Sequence, residues 1–343
     1  MIVTLTLNPS VDRTVEVDRL DRGAVLRTSE PVLEPGGKGV NVTRALTANG
    51  VPSLAVAAVA GPEGAELSRL LELDGILCHF VPVTGRTRSN TTICDADGTV
   101  TKLNEPGSPL QADDVDAIAA AIRTSLRDGD WLVVSGSTPP ELTAKQFGAL
   151  LVEATTAGAH LVVDSSGDAL ATSIAARPRL IKPNGEELAE LAGRELTSMA
   201  DVIAAAAEVR DRGVDNVLVS LGAQGAVLVS ANGVIVGESR VDQPRSTVGA
   251  GDCFLAGFLS RFTVDPLDLD AALLEALSWG AAATRLPGSA VPRPTDLDPS
   301  DVHLVWQPDL DRPLVASSSP HQPPPSTHPY EGVPPQCPAT HQR

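Results

Sequence analysis

The sequence predicts an α/β fold, a doubly wound, mainly parallel sheet flanked by helices, with a small additional β-sheet. Three observations carry that expectation. Short apolar runs alternate with stretches of helical period, and the runs are continuous, as strands covered on both faces require. Two segments break the rhythm with strand-like sequence that has no helix between its pieces.

IVTLTLN (2–8) is the first core run, halted at Asn8-Pro9, and DRTVEVDRL (12–20) is the first interruption. GVNVTRALTANG (39–50) has helical spacing, and VPSLAVAAVAG (51–61) is the next apolar run. ILCHFVPV (76–83) and SNTTICDADGTVTKLN (89–104) form the second interruption, where Asp97-Gly98 between two alternating runs signals a hairpin. Strands within about 12–35 and 76–104 are therefore expected to build the small sheet, as a lid or an extra edge. Helices follow at ADDVDAIAAAIRTSL (112–126), AKQFGALLVEATTAG (144–158) and MADVIAAAAEVRDRG (199–213). Interleaved with them are strands at DWLVVSG (130–136), HLVVD (160–164), RLIKPN (179–184) and NVLVSLG (216–222). One domain over 1–312 accounts for these elements. Residues 313–343 are rich in Pro, Ser and His with little apolar content, so a disordered tail is expected, its three histidines solvated.

Acids outnumber Lys plus Arg by 43 to 26, a formal net charge of −17. That surplus argues against nucleic acid or an anionic membrane as partner. It is unevenly spread: residues 1–104 hold 12 acids and 10 bases, which leaves room for a basic pocket in that third. Cys78, Cys94, Cys253 and Cys337 show no metal or disulfide spacing and are expected to be reduced thiols. MIVTLTLNP reads as a strand and not as a leader, and no apolar run approaches the ~20 residues of a membrane span. A cytoplasmic protein is expected.

Two glycine motifs bear chemistry. PGGKGVN (35–41) lacks the upstream glycine and following Ser/Thr of a Walker A loop. GAGDCF (249–254) has Phe254 where a dinucleotide fingerprint needs its third glycine, which weakens any nicotinamide reading. GAGD does place bare main chain before a helix-like run, so N–H donors and a positive dipole end would face an anion beside Asp252. Asp252 then reads either as a first-turn acid or as a base aimed at a hydroxyl, with the N–H groups of Gly249, Ala250 and Gly251 steadying phosphate charge. In KPNGEEL (182–188), Asn184 and Glu187 stand at i, i+3 where a strand gives way to a helix. They fit oxygen contacts to Mg²⁺ and fit a plain capping box equally well. VSLGAQGAVLV (219–229) reads as strand, glycine turn, strand, and Cys253 as a buried filler.

Taken together, these motifs resemble the PfkB branch of the ribokinase-like sugar kinases over residues 2 to about 300. STVGAGD (246–252) resembles that family's C-terminal signature and PGGKGVNV (35–42) its N-terminal one. IKPNGEEL carries its NxxE motif, and VSLGAQGA its ATP-binding strand-turn-strand. The resemblance implies that Asp252 is the catalytic base and that Asn184 and Glu187 serve Mg²⁺ through water. It implies ATP contacts at Lys182, Ser220, Gly222, Gly225, Thr247, Gly249 and Gly251.

TLNPSVD (6–12), GRTRSNTT (85–92), TKLNEPG (101–107), VVSGSTPP (133–140) and VVDSSGDAL (162–170) resemble the phosphosugar kinases of the family, most closely those acting on fructose 1-phosphate. Kinases of tagatose 6-phosphate and fructose 6-phosphate are near cousins. On this likeness the acceptor would meet Asp12, Gly36, Gly37, Asn41, Asn90 and Ser137, and its phosphate would meet Lys38, Arg88 and Lys102. A homodimer through the lid is implied as well. Two rivals stay open: a non-catalytic sugar-phosphate sensor on the same scaffold, and a kinase of unphosphorylated sugars or nucleosides, which would not need Arg88 and Lys102 together.

Overall fold

The computed structural model describes residues 1–28 and 30–314. Its first third runs β1 (Ile2–Thr6), β2 (Ser10–Val17), β3 (Val32–Gly36), α1 (Lys38–Ala48), β4 (Ser53–Val59), α2 (Gly61–Leu73), β5 (Cys78–Pro82), β6 (Arg88–Asp95) and β7 (Val100–Asn104). The middle runs α3 (Ala112–Ser125), β8 (Trp131–Ser135), α4 (Ala144–Thr156), β9 (His160–Asp164), α5 (Gly167–Ser173), β10 (Leu180–Ile181), α6 (Gly185–Ala192) and α7 (Met199–Asp211). The last part holds β11 (Val217–Ser220), β12 (Ala226–Ser230), β13 (Gly233–Ser239), α8 (Ala250–Phe262), α9 (Leu269–Thr284) and β14 (Val302–Leu304).

Ten strands form one sheet in the order β14-β13-β12-β11-β10-β9-β8-β1-β4-β5. From β5 to β11 the pairings are parallel, and the β11–β14 edge is antiparallel. β1 and β8 are buried at every position, which explains their unbroken apolar sequence. On one face Ile118, Ile122, Phe147, Leu151 and Val202 pack from α3, α4 and α7. On the other, Leu46, Phe258, Phe262 and Trp279 pack from α1, α8 and α9. Each such side chain contributes about 1.5–3 kcal/mol by leaving water.

The small sheet has the order β3-β2-β6-β7, with β2 and β6 parallel and the outer pairs antiparallel. The β6–β7 hairpin turns at Asp97-Gly98 as expected, with Gly98 at φ 89°. Val11 on β2 joins Val40, Leu67 and Leu71 in a third apolar cluster, which seats this lid on α1 and α2.

Three expectations need correction. Cys78–Pro82 is not a lid strand: it pairs parallel with β4 at the edge of the main sheet, because α2 intervenes and makes a βαβ unit. The lid strands themselves begin at Ser10 and end the first interruption at Gly36, wider than 12–35. The ordered chain also passes 312: Pro313 bridges Ser198, and the Leu314 N–H donates to the Thr197 carbonyl at 2.9 Å. The disorder expected for the remainder, and Cys337, lie outside the described residues. Among those residues, no helix is long and apolar enough to cross a membrane.

Candidate active site

A cavity of about 350 Å³ opens between the lid and the carboxyl ends of the parallel strands. That is where open α/β sheets bind ligands, because strand ends and helix starts converge there. Ser10, Asp12, Arg88 and Asn90 line it from the lid, and Gly37, Lys38 and Asn41 from the start of α1. Lys182, Asn184, Glu187 and Ser220 line it from the strand ends, and Thr247, Val248, Gly249, Gly251 and Asp252 from the entry to α8.

Two uncapped helix N-termini face this space. α1 is preceded by Gly37 and α8 by Gly249, and neither has a side-chain cap. Gly249 adopts φ 73°, a left-handed conformation that an L side chain rarely takes, so the turn into α8 demands glycine. The first N–H groups and the positive dipole ends of both helices are thereby left for an anion. Asp252, in the first turn of α8, is 6 % exposed.

Charge is arranged as a buried cluster. Asp164, at the end of β9, is fully buried; its Oδ1 lies 3.2 Å from Lys38 Nζ and 3.3 Å from Lys182 Nζ. Lys38 also stands 3.8 Å from Glu187 Oε1. Burial pushes the Asp164 carboxyl upward, but the two lysines outweigh it and hold the group below its ordinary pKa. Asp164 raises Lys38 in return, against the cost of its burial. Asp252 goes the other way: burial first, then the Asp164 charge, push it up to about 7, opposed by Lys38, Asn41 and Lys182. A carboxylate poised near neutrality in a cavity is suited to take a proton at working pH.

The remaining expected residues are placed unequally. Asp12 Oδ1 accepts from Ser10 Oγ at 2.7 Å and Asn90 Nδ2 at 2.9 Å, while Gly36 packs so closely that a Cβ there would sit 2.5 Å from the Asp12 carboxyl. Asn41 has both ends engaged: Nδ2 donates to Asp252 Oδ2 at 2.8 Å, and Oδ1 accepts from Arg44. Arg88 donates to the carbonyls of Asn8 and Glu105, so no carboxylate neutralises it by direct pairing among the described residues. Lys38 is bound up with Asp164 and Glu187, beside Lys182, instead of standing with Arg88.

Asn184 and Glu187 form a full capping box at the start of α6. Ala250, Gly36, Gly222 and Gly225 do not line the cavity; the last two shape the turn between β11 and β12, where Ser220 alone reaches in. Exposed Ser137 accepts from Asn8 Nδ2 outside the lining, and Lys102 is exposed on the lid edge. Cys253 is buried with its thiol pushed up to about 12 by that burial, consistent with an inert filler.

Sequence reasoning missed Asp164, Ser10, Val248 and Arg44. A usable signal existed for Asp164, an acid closing an otherwise apolar run that ends at the ligand-binding edge.

Residues 5–296 match the pfkB family carbohydrate kinase description. The chain is 39 % identical over 285 residues to a 1-phosphofructokinase of Rhodobacter capsulatus, covering 82 % of this chain and 90 % of that one. It is 35 % identical over 257 residues to a 1-phosphofructokinase of Vibrio cholerae, covering 75 % and 81 %. Among solved structures, phosphofructokinase-2 from Escherichia coli in complex with potassium superposes with a TM-score of 0.82 at 33 % identity, covering 86 % of this chain and 96 % of that one. The match spans both glycine motifs, the small sheet, most of the large one and every residue lining the cavity, and the chain belongs to the pfkB family of carbohydrate kinases.

Proposed function

We propose that this kinase transfers the γ-phosphoryl group of ATP to fructose 1-phosphate, giving fructose 1,6-bisphosphate. One observation carries the reading: Asp252 lines the cavity, buried at the uncapped start of α8, with a pKa of about 7. In this reading the C6 hydroxyl gives its proton to Asp252 as its oxygen bonds to the γ-phosphorus. The bond from that phosphorus to the β,γ-bridging oxygen breaks, and ADP leaves. N–H groups at the start of α8, with Lys182, offset the charge that develops on the transferring group. The 1-phosphofructokinase relatives named above and the Arg88 guanidinium, which no carboxylate pairs directly among the described residues, support a substrate that already bears phosphate.

Lys102 is proposed as the second phosphate cation. It pairs across from Thr92, on the lid face that also carries Asn90, so folding of the lid over the cavity would bring it toward Arg88. Ser137, Gly222 and Gly225 would act through the loops they shape.

Mg²⁺ is part of the proposal, and the donors present fit an ion held chiefly by water and nucleotide. Asn184 Oδ1 and Glu187 Oε2 each accept a main-chain N–H, leaving Glu187 Oε1 turned toward Lys38. No group of three or more His, Cys, Asp or Glu able to hold a metal occurs among the described residues. Asn184 and Glu187 would thus hold the ion through water, and it would supply charge neutralisation of the ATP phosphates. A cytoplasmic location suits an enzyme that draws on ATP. Pairing of two copies through the lid is supported by exposed Val32, Val100 and Leu103 on its two outer strands.

The test is kcat/KM with Mg-ATP for fructose 1-phosphate, tagatose 6-phosphate and fructose 6-phosphate in parallel, alongside Asp252→Asn. The first sugar should lead, and the variant should lose at least ~10²-fold in kcat with little change in binding. Preference for fructose 6-phosphate would move the assignment to a kinase of that sugar, which is the molecule bound in a solved Escherichia coli phosphofructokinase-2 structure. No ADP release with any of them would favour a sensor.

A further inference from the structure

Arg44, on α1, is an arginine that the function so far leaves without a task. It is only 9 % exposed. One nitrogen, Nη1, reaches three carbonyl oxygens: Pro35 O at 3.4 Å, Asn41 Oδ1 at 3.4 Å and Ser289 O at 3.3 Å. Its Nε lies 3.5 Å from Asp74 Oδ2 near the surface. Asn41, which accepts from Arg44, is the residue whose Nδ2 donates to Asp252.

We infer that Arg44 is a positioning residue for the catalytic carboxylate, acting through Asn41. An amide side chain has a donor end and an acceptor end, and a half-turn exchanges them. A guanidinium has only donors, so Arg44 admits the Asn41 oxygen and repels its NH₂. The NH₂ is thereby committed to Asp252. Turned the other way, Asn41 would set a carbonyl oxygen against the carboxylate and a second donor against the guanidinium, all on side chains largely withdrawn from water. The Ser289 carbonyl, from the loop that follows α9 and lies beside Gly249, ties the same arginine to the entry of α8.

The groups facing Asp252 are Asp164 from the end of β9, Lys182 from just after β10, Lys38 and Asn41 from α1, and Cys253 beside it. Arg44 acts on that set by choosing which end of Asn41 joins it. A purely structural staple between Pro35 and Ser289 would affect stability and leave the protonation of Asp252 alone.

The inference rests on Asp252 as the base, and the experiment separates the two. The pH dependence of kcat at saturating Mg-ATP and fructose 1-phosphate is measured for the wild type, Arg44→Lys, Arg44→Met, Asn41→Ala, Asn41→Ala/Arg44→Met and Asp252→Asn. Titration of the substrate's own phosphate is common to all and cancels in the differences. Arg44→Met should move the acid limb to higher pH by about one unit, the tenfold effect of losing one hydrogen bond to a charged group, and lower kcat more than it raises sugar KM. Arg44→Lys, which keeps a donor and no acceptor, should recover most of the shift. In the Asn41→Ala background Arg44→Met should shift the limb no further.

An unmoved limb with a lowered Tm, or equal shifts in both backgrounds, overturns the inference while Asp252 stands. An Asp252→Asn enzyme with normal kcat and an unchanged limb removes Asp252, and this inference with it. Should Arg44→Met not fold, Arg44→Lys alone and in the Asn41→Ala background supplies the same comparison at smaller amplitude.

Discussion

Asp164 and Lys182 form an ion pair, 3.3 Å between Oδ1 and Nζ, with both side chains almost wholly withdrawn from water. The two come from adjacent strands, Asp164 from the end of β9 and Lys182 from the residue after β10. Parallel pairing therefore fixes their spacing before any ligand arrives. With the partly exposed Lys38 completing the cluster, Asp164 is the anion that makes the buried Lys182 tolerable.

Asp164→Asn should be strongly destabilising, by about 3–5 kcal/mol, because it leaves the buried Lys182 without its counter-charge. The wild-type Asp164 carboxyl titrates below its ordinary value. Its contribution is thus present above the unfolded-state pKa and is lost as pH falls through the folded one. The same variant removes the charge that raises Asp252, so the acid limb of kcat should move to lower pH. Urea unfolding across pH and a kcat–pH profile check the two halves. An unchanged midpoint at pH 7.5 would contradict the first, and an unmoved limb the second.

Asp252 should cost the fold stability at the pH where it works. Its folded pKa of about 7 lies above the value of an unfolded aspartate, so the native state binds more protons between those limits. Stability from this group is present at acid pH and is lost as pH rises through 7. Asp252→Asn should then raise the unfolding free energy at pH 8 by roughly 2–4 kcal/mol and leave it nearly unchanged at pH 4. Denaturant titrations at both pH values decide it. A variant less stable than wild type at pH 8 would contradict the expectation.

Much of this arrangement was legible in the chain, and the exceptions have physical reasons. The central strands announced themselves as apolar runs, since burial on both faces removes any alternation, and GAGD announced an uncapped helix start. Cys78–Pro82 misled because an edge strand of a parallel sheet and a lid strand share the same half-apolar composition; only the helix before it, GPEGAELSRLLEL, tells them apart. Arg44 was hidden by its neighbours: in a helix already explained by a glycine motif, a basic residue reads as surface, and nothing local records that it points into the protein. Asp164 was invisible as a partner of Lys38 because 126 positions separate them and strand order alone brings them together.

Gly36→Ala should damage sugar binding selectively. A methyl group there would lie 2.5 Å from the Asp12 carboxyl, closer than real contacts allow, so Asp12 must move off Ser10 and Asn90. The start of α8 and the strand ends assigned to ATP are untouched. KM for the sugar should rise by about tenfold or more, the worth of one misplaced hydrogen bond to a charged group, while KM for ATP stays within about twofold. Equal rises in both would mean that the substitution spreads beyond Asp12.

Arg88 and Lys102 should separate the phosphate of the acceptor from the rest of the sugar. Arg88 lines the cavity, and main-chain carbonyls hold its guanidinium in place without cancelling its charge. Arg88→Ala should raise KM for fructose 1-phosphate by roughly 10²-fold, within the range for a charge-assisted pair in a partly buried site, and Arg88→Lys should recover only part of it because a point charge cannot supply the planar fork. Lys102→Ala should act in the same direction but more weakly, since the exposed Lys102 would reach the phosphate only with the lid folded over the cavity. Raising ionic strength should weaken the Lys102 contribution more than that of Arg88, which is half-buried where Lys102 is exposed. Steady-state KM at two salt concentrations measures all of this. If neither variant changes KM, the acceptor carries no phosphate there, and an unphosphorylated sugar becomes the substrate to test.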